Sequence, residues 1–565
     1  MPYFENSERT VVTHSVLNDV ARDLNVYNFP NSQEEGKILA ALYPAVVERR
    51  GYDVPGCMEG TRKGVFEEID GWLDDFDAPN ILWISGSPGS GKSAVASSLV
   101  SELIKRQRLA SHFFCKRDHA CLGDPAVLWR TVASDLARFH PGVKYILLEF
   151  LKKTNFRDTD ISLHFDCLIV EPLAKNRDRL SAHSPVIVLD ALDECGSDES
   201  QSAQRRILLK TIALWSFRLP LTCKLVVTSR DEPIQAPIHD MHDNRLYPPY
   251  RHIILETGDL VSHSAADDIR VFFEKSFADI TPELGLPTIW PGKPKKKQLT
   301  ERAAGLFIWA KTTIAFIAEN QGNPDKKLQL ILKGELGKGR ENIDSLYRQI
   351  LHFAFKNASE PTLELFRAVI GTIAIAKVPL HRSDLKHYLG REDAEDDRQI
   401  SVILHKLSSV ISKGDDGLLH LRHLSFVEFL TDVKRCHKFF IDETKHRRNL
   451  TLACLRLMNR DLKFNICGLE TSHCHNDDMK KPIPIPAHLL YSCRFWAEHL
   501  EEDDKKHDRY TLLKEIEYFL YNRFLFWLEV LSLAKEVPVA QRALLTTICW
   551  LGVSISPLIY AEHHI

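Results

Sequence analysis

Through the first half of the chain, short apolar runs alternate with longer stretches whose apolar residues recur at helical spacing. The runs are ILWIS at 81, SHFFC at 111, VIVLD at 186, KLVVTS at 224 and HIILE at 252. Such alternation predicts an α/β fold with a mainly parallel sheet. VIVLD and KLVVTS are apolar throughout instead of alternating, which predicts strands covered on both faces. Ahead of the first run, Ile38 to Asp77 has helical spacing, and Val65, Ile69 and Trp72 share one helix face. After about residue 262 strand signals thin out and amphipathic helices take over, beginning with SAADDIRVFFEKSF. PTIWPGKPKKKQ at 287 is expected as a solvated loop. The block from Ile343 to Asp432 is expected as helices plus a small hairpin around GLLHLRHLSF. No fixed-period repeat is present, so neither a solenoid nor a propeller is encoded.

Residues 86–93, GSPGSGKS, match G-x-x-x-x-G-K-[ST] at every fixed position and stand between the strand ILWIS and the helix SAVASSLVSEL. The expected phosphate cradle is Gly86, Ser87, Pro88, Gly89, Ser90, Gly91, Lys92 and Ser93. Its glycines permit a backbone that wraps an anion with successive N–H groups, and the helix start adds its positive dipole end. Lys92 is expected to reach the β and γ phosphates, and Ser93 to offer a hydroxyl to magnesium. The motif does not separate ATP or ADP from GTP. In VIVLDALDEC, Asp190 ends a buried strand and is the expected second magnesium contact, the bland alternative being a solvated acidic loop. Asp193 or Glu194 is then expected to orient or deprotonate the attacking water. Arg230, after KLVVTS, suits either a γ-phosphate contact or a structural ion pair.

Composition narrows the class. At 565 residues the chain is too long for one core, and 44% hydrophobic with 26% charged residues describes globular modules. A net charge of -3 gives no whole-chain attraction for nucleic acid or an anionic membrane. Twelve irregularly spaced cysteines suggest thiols in a reducing compartment, with the cytoplasm as the expectation. MPYFENSERTVV lacks the basic start and apolar run of a secretory signal. Ala543 to Tyr560 is free of charge but carries Thr546, Thr547, Ser554, Ser556 and Pro557, so a membrane anchor is not expected there. Neither Cys115, His119 and Cys121 nor Cys467, His473, Cys474 and His475 has the paired spacing of a zinc site.

Collinear segments carry a resemblance to the NACHT family of signal-transducing NTPases, and within it to the fungal branch with the nephrocystin-type module. They are CMEGTR at 57, ILWISGSPGSGKSAVASSL at 81, SHFFCKRD at 111, VIVLDALDE at 186, KLVVTSRDEP at 224, AAGLFIWAKTTIAFI at 303 and LRHLSFVEFLTD at 421. The resemblance implies a short N-terminal segment (1–37), a P-loop NTPase domain (38–261), a helical domain (262–340), a winged helix (341–435) and a second helical domain (436–565). It also implies that ADP closes these domains, that ATP opens them, and that the open form self-associates and engages a protein partner in fungal non-self recognition or cell-death signalling. By the same resemblance Gly305 and Leu306 touch the base, and His423 contacts the β phosphate of ADP. The sequence departs from the family in lacking sensor repeats after the second helical domain and a full effector domain in its first 37 residues. The competing expectation, a nucleic-acid-remodelling ATPase with a winged helix, is disfavoured by the near-neutral charge and by the lack of a basic recognition helix near 380 to 430.

Overall fold

The computed structural model describes residues 54–552 except 118, 120, 154–159, 181–183, 197–200, 231–249, 259–260, 320–321, 335–339, 392, 415, 470–484 and 501–505, together with 35, 36, 38, 39 and 42. The N-terminal residues 1–34 and His473, Cys474 and His475 therefore lie outside the described residues.

All five apolar runs are strands: β1 (Ile81–Gly86), β2 (Leu109–Phe114), β3 (Val186–Asp190), β4 (Lys224–Ser229) and β5 (Arg251–Leu255). They form one sheet in the order β2-β3-β4-β1-β5, parallel at every pairing. Successive side chains point to opposite faces of a strand, and both faces are buried here. Ile81, Trp83, Ile187, Leu189, Leu225 and Val227 pack on one side with α3 (Pro125–Phe139) and α4 (Ser202–Arg218). Leu82, Ile84, Val186, Val188 and Val226 pack on the other with α1 (Lys63–Asp74) and α2 (Lys92–Lys105). Covering helices on both sides explain why VIVLD and KLVVTS do not alternate.

From α5 (His263–Glu283) to the helix Pro538–Leu551 the described residues are mainly helical, and one apolar core extends from Ile269 to Trp550. The expected loop at 287 is in part helix: α6 (Lys293–Ala303) begins inside it. Pro294 stands in its first turn, where a missing N–H costs nothing, so this Pro-rich stretch starts a helix instead of preventing one. α7 (Phe307–Ala318) follows after a tight turn. The expected hairpin is present as β7 (Ile411–Lys413) and β8 (Leu418–Leu421), and β6 (Leu380–His381) adds a third antiparallel strand. Two residues are too few to leave a periodic signal. Of the charge-free stretch, residues 543–551 belong to the helix Pro538–Leu551, which buries Ala543, Thr547 and Trp550 against the core, and no described helix is long and apolar enough to cross a membrane.

Burial keeps several histidines of the last helical block uncharged. His446 packs against Gly371 and is pulled down to about 4, first by burial and then by Lys445, while burial holds His499 well below its ordinary range. An unfolded His accepts a proton near pH 6.5, so the unfolded chain binds more protons than the native one between pH 6.5 and 4, and acid favours unfolding there. His446→Gln is expected to lose about 2 kcal/mol less stability than the parent on going from pH 7.5 to 4.5, measured as denaturant midpoints at both values.

Candidate functional site

The loop after β1 has a shape that glycine makes possible. Gly89 and Gly91 adopt φ of +83° and +100°, and the N–H of Ser90 closes a turn on Ser87 O at 3.1 Å before α2 begins at Lys92. A Cβ on Gly89 would lie 2.0 Å from Ile308 Cγ2, because the N-terminus of α7 docks on the loop, and Ile308 N donates to Gly89 O at 3.1 Å. Thr257 donates to Ser87 Oγ at 3.0 Å. Lys92 Nζ lies along the loop and donates to Gly86 O at 2.6 Å and to Ser87 O at 3.1 Å. The first N–H groups of α2 have no intrahelical acceptor, so the loop and the helix start together form a cradle with donors for an anion.

β4 lies between β1 and β3, so the tips of all three strands meet beside this cradle. Asp190, at the tip of β3, is buried and accepts from Thr228 Oγ1 at 2.5 Å and from the hydroxyl of Ser93. Its carboxyl is pushed up by burial, against the pull of those two bonds and of Lys92. Ser93 and Asp190 thus bring one hydroxyl and one carboxylate together, a donor set that fits a magnesium ion retaining water ligands. A nucleotide phosphate chain with magnesium fits these residues.

The acidic doublet is split by its surroundings. Asp193 accepts from Arg230 N at 3.2 Å and pairs with Arg230 Nε at 2.9 Å. Glu194 accepts from Arg117 N at 3.3 Å, and burial, followed by the charge of Asp193, pushes its carboxyl up to about 7. The second pole of Arg230 is more distant in sequence: Nη2 donates to Glu428 Oε1 at 2.6 Å. Both alternatives for Arg230 were open in the sequence, and here it makes an ion pair at the strand tip nearest the cradle. Glu428 had no motif to reveal it.

Beyond Gly91 lies a mostly apolar cavity of about 290 Å³, lined by Cys57, Met58, Arg62, Ala94, Phe307 and Lys311 among others. Arg62 shapes its wall: buried, with φ of +59°, it donates from Nη2 to Ser90 O at 2.6 Å, and its guanidinium lies 4.9 Å over the Phe307 ring. Its backbone N–H is held by Asp268 at 2.8 Å. Gly305 and Leu306 do not line this cavity. They form the turn into α7, with Gly305 against the carbonyl of Glu256, and the residues that reach the cavity are Phe307 and Lys311, one to six positions on. CMEGTR carried the signal for Arg62, but nothing in the sequence distinguished its guanidinium from a surface charge.

His423 caps the helix α8 (Leu424–Leu430). Its Nδ1 accepts from Ser425 N at 3.0 Å, which leaves the ring proton of the neutral tautomer on Nε2. Burial pulls the imidazole down to about 4; Glu428 opposes this, while the charges of Lys92, Arg230 and Lys311 reinforce it. His423 therefore stands within the field of the phosphate cradle. No three His, Cys, Asp or Glu side chains form a metal group among the described residues, and every described cysteine is a free thiol.

A parallel sheet with this order, a glycine loop entering a helix, and a buried strand-end Asp bonded to the loop's Ser define a P-loop NTPase. Residues 60–230 match the family model described as "Nephrocystin 3, N-terminal". The chain is 23% identical over 504 residues to vegetative incompatibility protein HET-E-1 of Podospora anserina, covering 83% of this chain and 34% of that protein. It thus spans about a third of the length of this curated relative. Among solved structures, the signal transduction ATPase with a tetratricopeptide repeat sensor from Pyrococcus horikoshii aligns at a TM-score of 0.37 and 12% identity, over 87% of this chain and 59% of that one. The Aeropyrum pernix ORC1 protein in complex with DNA aligns at 0.27 and 16%, over 70% and 97%. At such scores neither alignment bears on function. The family match and the fungal relative make the P-loop module NACHT-type.

Gly89→Ala is expected to weaken the docking of α7 on the loop. A Cβ there meets Ile308 and forces a non-glycine residue to positive φ, at a cost of about 1–3 kcal/mol. A lowered unfolding midpoint together with faster hydrogen exchange at Ile308 checks it.

Proposed function

We propose that this chain is a nucleotide-operated signalling switch: a diphosphate holds the helical half against the P-loop, a triphosphate releases it to self-associate, and slow hydrolysis resets it. The observation that carries this reading is the convergence of His423 and Glu428, from the helical half, on Lys92 and Arg230 of the NTPase half. The proposed domain borders are 38–261, 262–340, 341–435 and 436–565. ATP or ADP with magnesium is the proposed cofactor, the cytoplasm the proposed location, and an unidentified protein the partner. Fungal non-self recognition or cell-death signalling, by analogy with the relative from Podospora anserina, is the proposed setting.

In this reading Lys92 turns from the carbonyls of Gly86 and Ser87 to the terminal phosphates, and Ser93 and Asp190 hold magnesium. Bound magnesium would neutralise charge developing on the phosphate oxygens. The cavity beside Phe307 takes the base. Asp193 is occupied by Arg230, so Glu194 is the proposed base toward water, and His423 donates from Nε2 to the β phosphate.

Lys92→Ala is expected to weaken ADP and ATP binding at least tenfold, because a cation leaves a partly desolvated phosphate site. Calorimetry with an unchanged affinity would remove the site assignment. His423→Ala should raise the ADP off-rate about 10- to 100-fold, the loss of one hydrogen bond to a charged acceptor worth about 1.5–3 kcal/mol, and shift the resting chain toward larger assemblies. Stopped-flow displacement of labelled ADP and light scattering test both.

A carboxyl held near 7 is protonated below that pH and becomes a base above it. The ascending limb of kcat/KM for hydrolysis is therefore expected to have its midpoint near pH 7. Glu194→Gln should retain nucleotide affinity while hydrolysis slows and this limb disappears. A parental rate and pH profile in the variant would reduce Glu194 to a structural role.

A further inference from the structure

Arg230 holds two carboxylates that come from opposite halves of the molecule. Its Nε and backbone N–H engage Asp193, on the turn after β3, and its Nη2 engages Glu428 on α8, 198 residues away in sequence. The cluster is shielded from water: the side chains of Asp193, Glu428 and Arg230 are 7%, 17% and 24% exposed. One cation thus serves two anions at the strand tip beside the cradle.

The backbone of Glu428 is anchored in its turn. Arg435 donates from Nη1 to the Glu428 carbonyl at 2.8 Å, and the same guanidinium pairs with Asp344 through Nε at 2.8 Å and Nη2 at 2.7 Å. Asp344 and Tyr347 lie on the helix Arg340–Ala354, and the Tyr347 hydroxyl meets Ser425 Oγ at 2.9 Å. The Tyr347 ring stacks edge-on to Phe426 at 5.0 Å. The backbone that carries Glu428 is therefore tied to these supports, and a displacement of α8 would draw its carboxylate away from Arg230.

We infer that Glu428 is a specificity-determining residue, which makes the closed arrangement accept a nucleoside diphosphate and reject the triphosphate. The inference rests on the reading of the cradle as a nucleotide site. A diphosphate ends at Lys92 and leaves Arg230 with Glu428. A third phosphate extends past Lys92 toward the tips of β3 and β4, and there it demands the guanidinium that Glu428 occupies. It also brings further negative charge against two shielded carboxylates. If the phosphate takes Arg230, the shielded Glu428 carboxylate loses this ion pair, which is costly until α8 leaves. The triphosphate and the Arg230–Glu428 bridge are thus mutually exclusive, and by linkage each weakens the other equally. His423 holds what both nucleotides share; Glu428 senses what differs.

Glu428→Gln keeps the shape and removes the charge. In the full chain with magnesium, calorimetry with ADP and with a non-hydrolysable ATP analogue compares parent and variant. The parent is expected to prefer ADP at least tenfold. In the variant that ratio should fall at least tenfold through tighter triphosphate binding, with ADP affinity within about threefold of the parent. Glu428→Asp, which retains the charge, should keep a preference for ADP and so separates charge from packing. If both nucleotides bind and the ratio is the same in parent and Glu428→Gln, the inference is overturned while the nucleotide site stands. A parent chain that binds neither nucleotide overturns the site reading and this inference with it.

Discussion

The hydrogen bond from Ile308 N to Gly89 O joins the two halves of the molecule at the phosphate loop, and the geometry of the site follows from it. A loop that keeps its amides available for an anion cannot satisfy itself by folding into regular structure, so it needs support from outside. Here the support is the first turn of α7, seated against a glycine with no Cβ to obstruct it. The same turn delivers Phe307 and Lys311 to the neighbouring cavity, and Arg62 fastens the far side by donating to Ser90 O. Loop, cavity and helical half are therefore one mechanical unit.

The electrostatics of this unit are arranged by sheet order. Because β4 is inserted between β1 and β3, Thr228 meets Asp190 and Arg230 meets Asp193 at adjacent strand tips. Carboxylates so close to one another would repel strongly in a shielded site, and the structure relieves this by giving them different partners. Asp190 accepts from two hydroxyls, Asp193 pairs with Arg230, and Glu194 accepts from the Arg117 N–H while burial lifts its carboxyl to about 7.

The helical half contributes charge and hydrogen-bond donors as well as bulk. α8 presents His423 at its N-terminus and Glu428 one turn and a half later, both directed to the cradle side, while Phe426, Phe429 and Leu430 face the core. A single short helix therefore joins the cradle side to the surrounding core, which extends to the last described helix. Arg435 ties α8 to the helix Arg340–Ala354, donating to the Glu428 carbonyl and pairing bidentately with Asp344.

Local pattern was sufficient for the parallel strands, the loop at 86–93 and the strand-end Asp190, because a buried strand must be apolar throughout and a phosphate loop needs glycine at set intervals. His423 stood out only through the family resemblance, and its place near Lys92 and Arg230 is set by packing. Local pattern misread the start of α6, where Pro and Gly look like a loop but Pro294 occupies a first turn, and it could not find β6, whose two residues leave no period. The pairing of Asp193 with Arg230, the presence of Phe307 and Lys311 at the cavity, and the positions of Arg62 and Glu428 were decided by tertiary structure alone. Each depends on contacts between residues far apart in the chain, up to 198 positions for Arg230 and Glu428. Periodicity records which side of an element is buried; which charge stands opposite another is set only when the elements have packed.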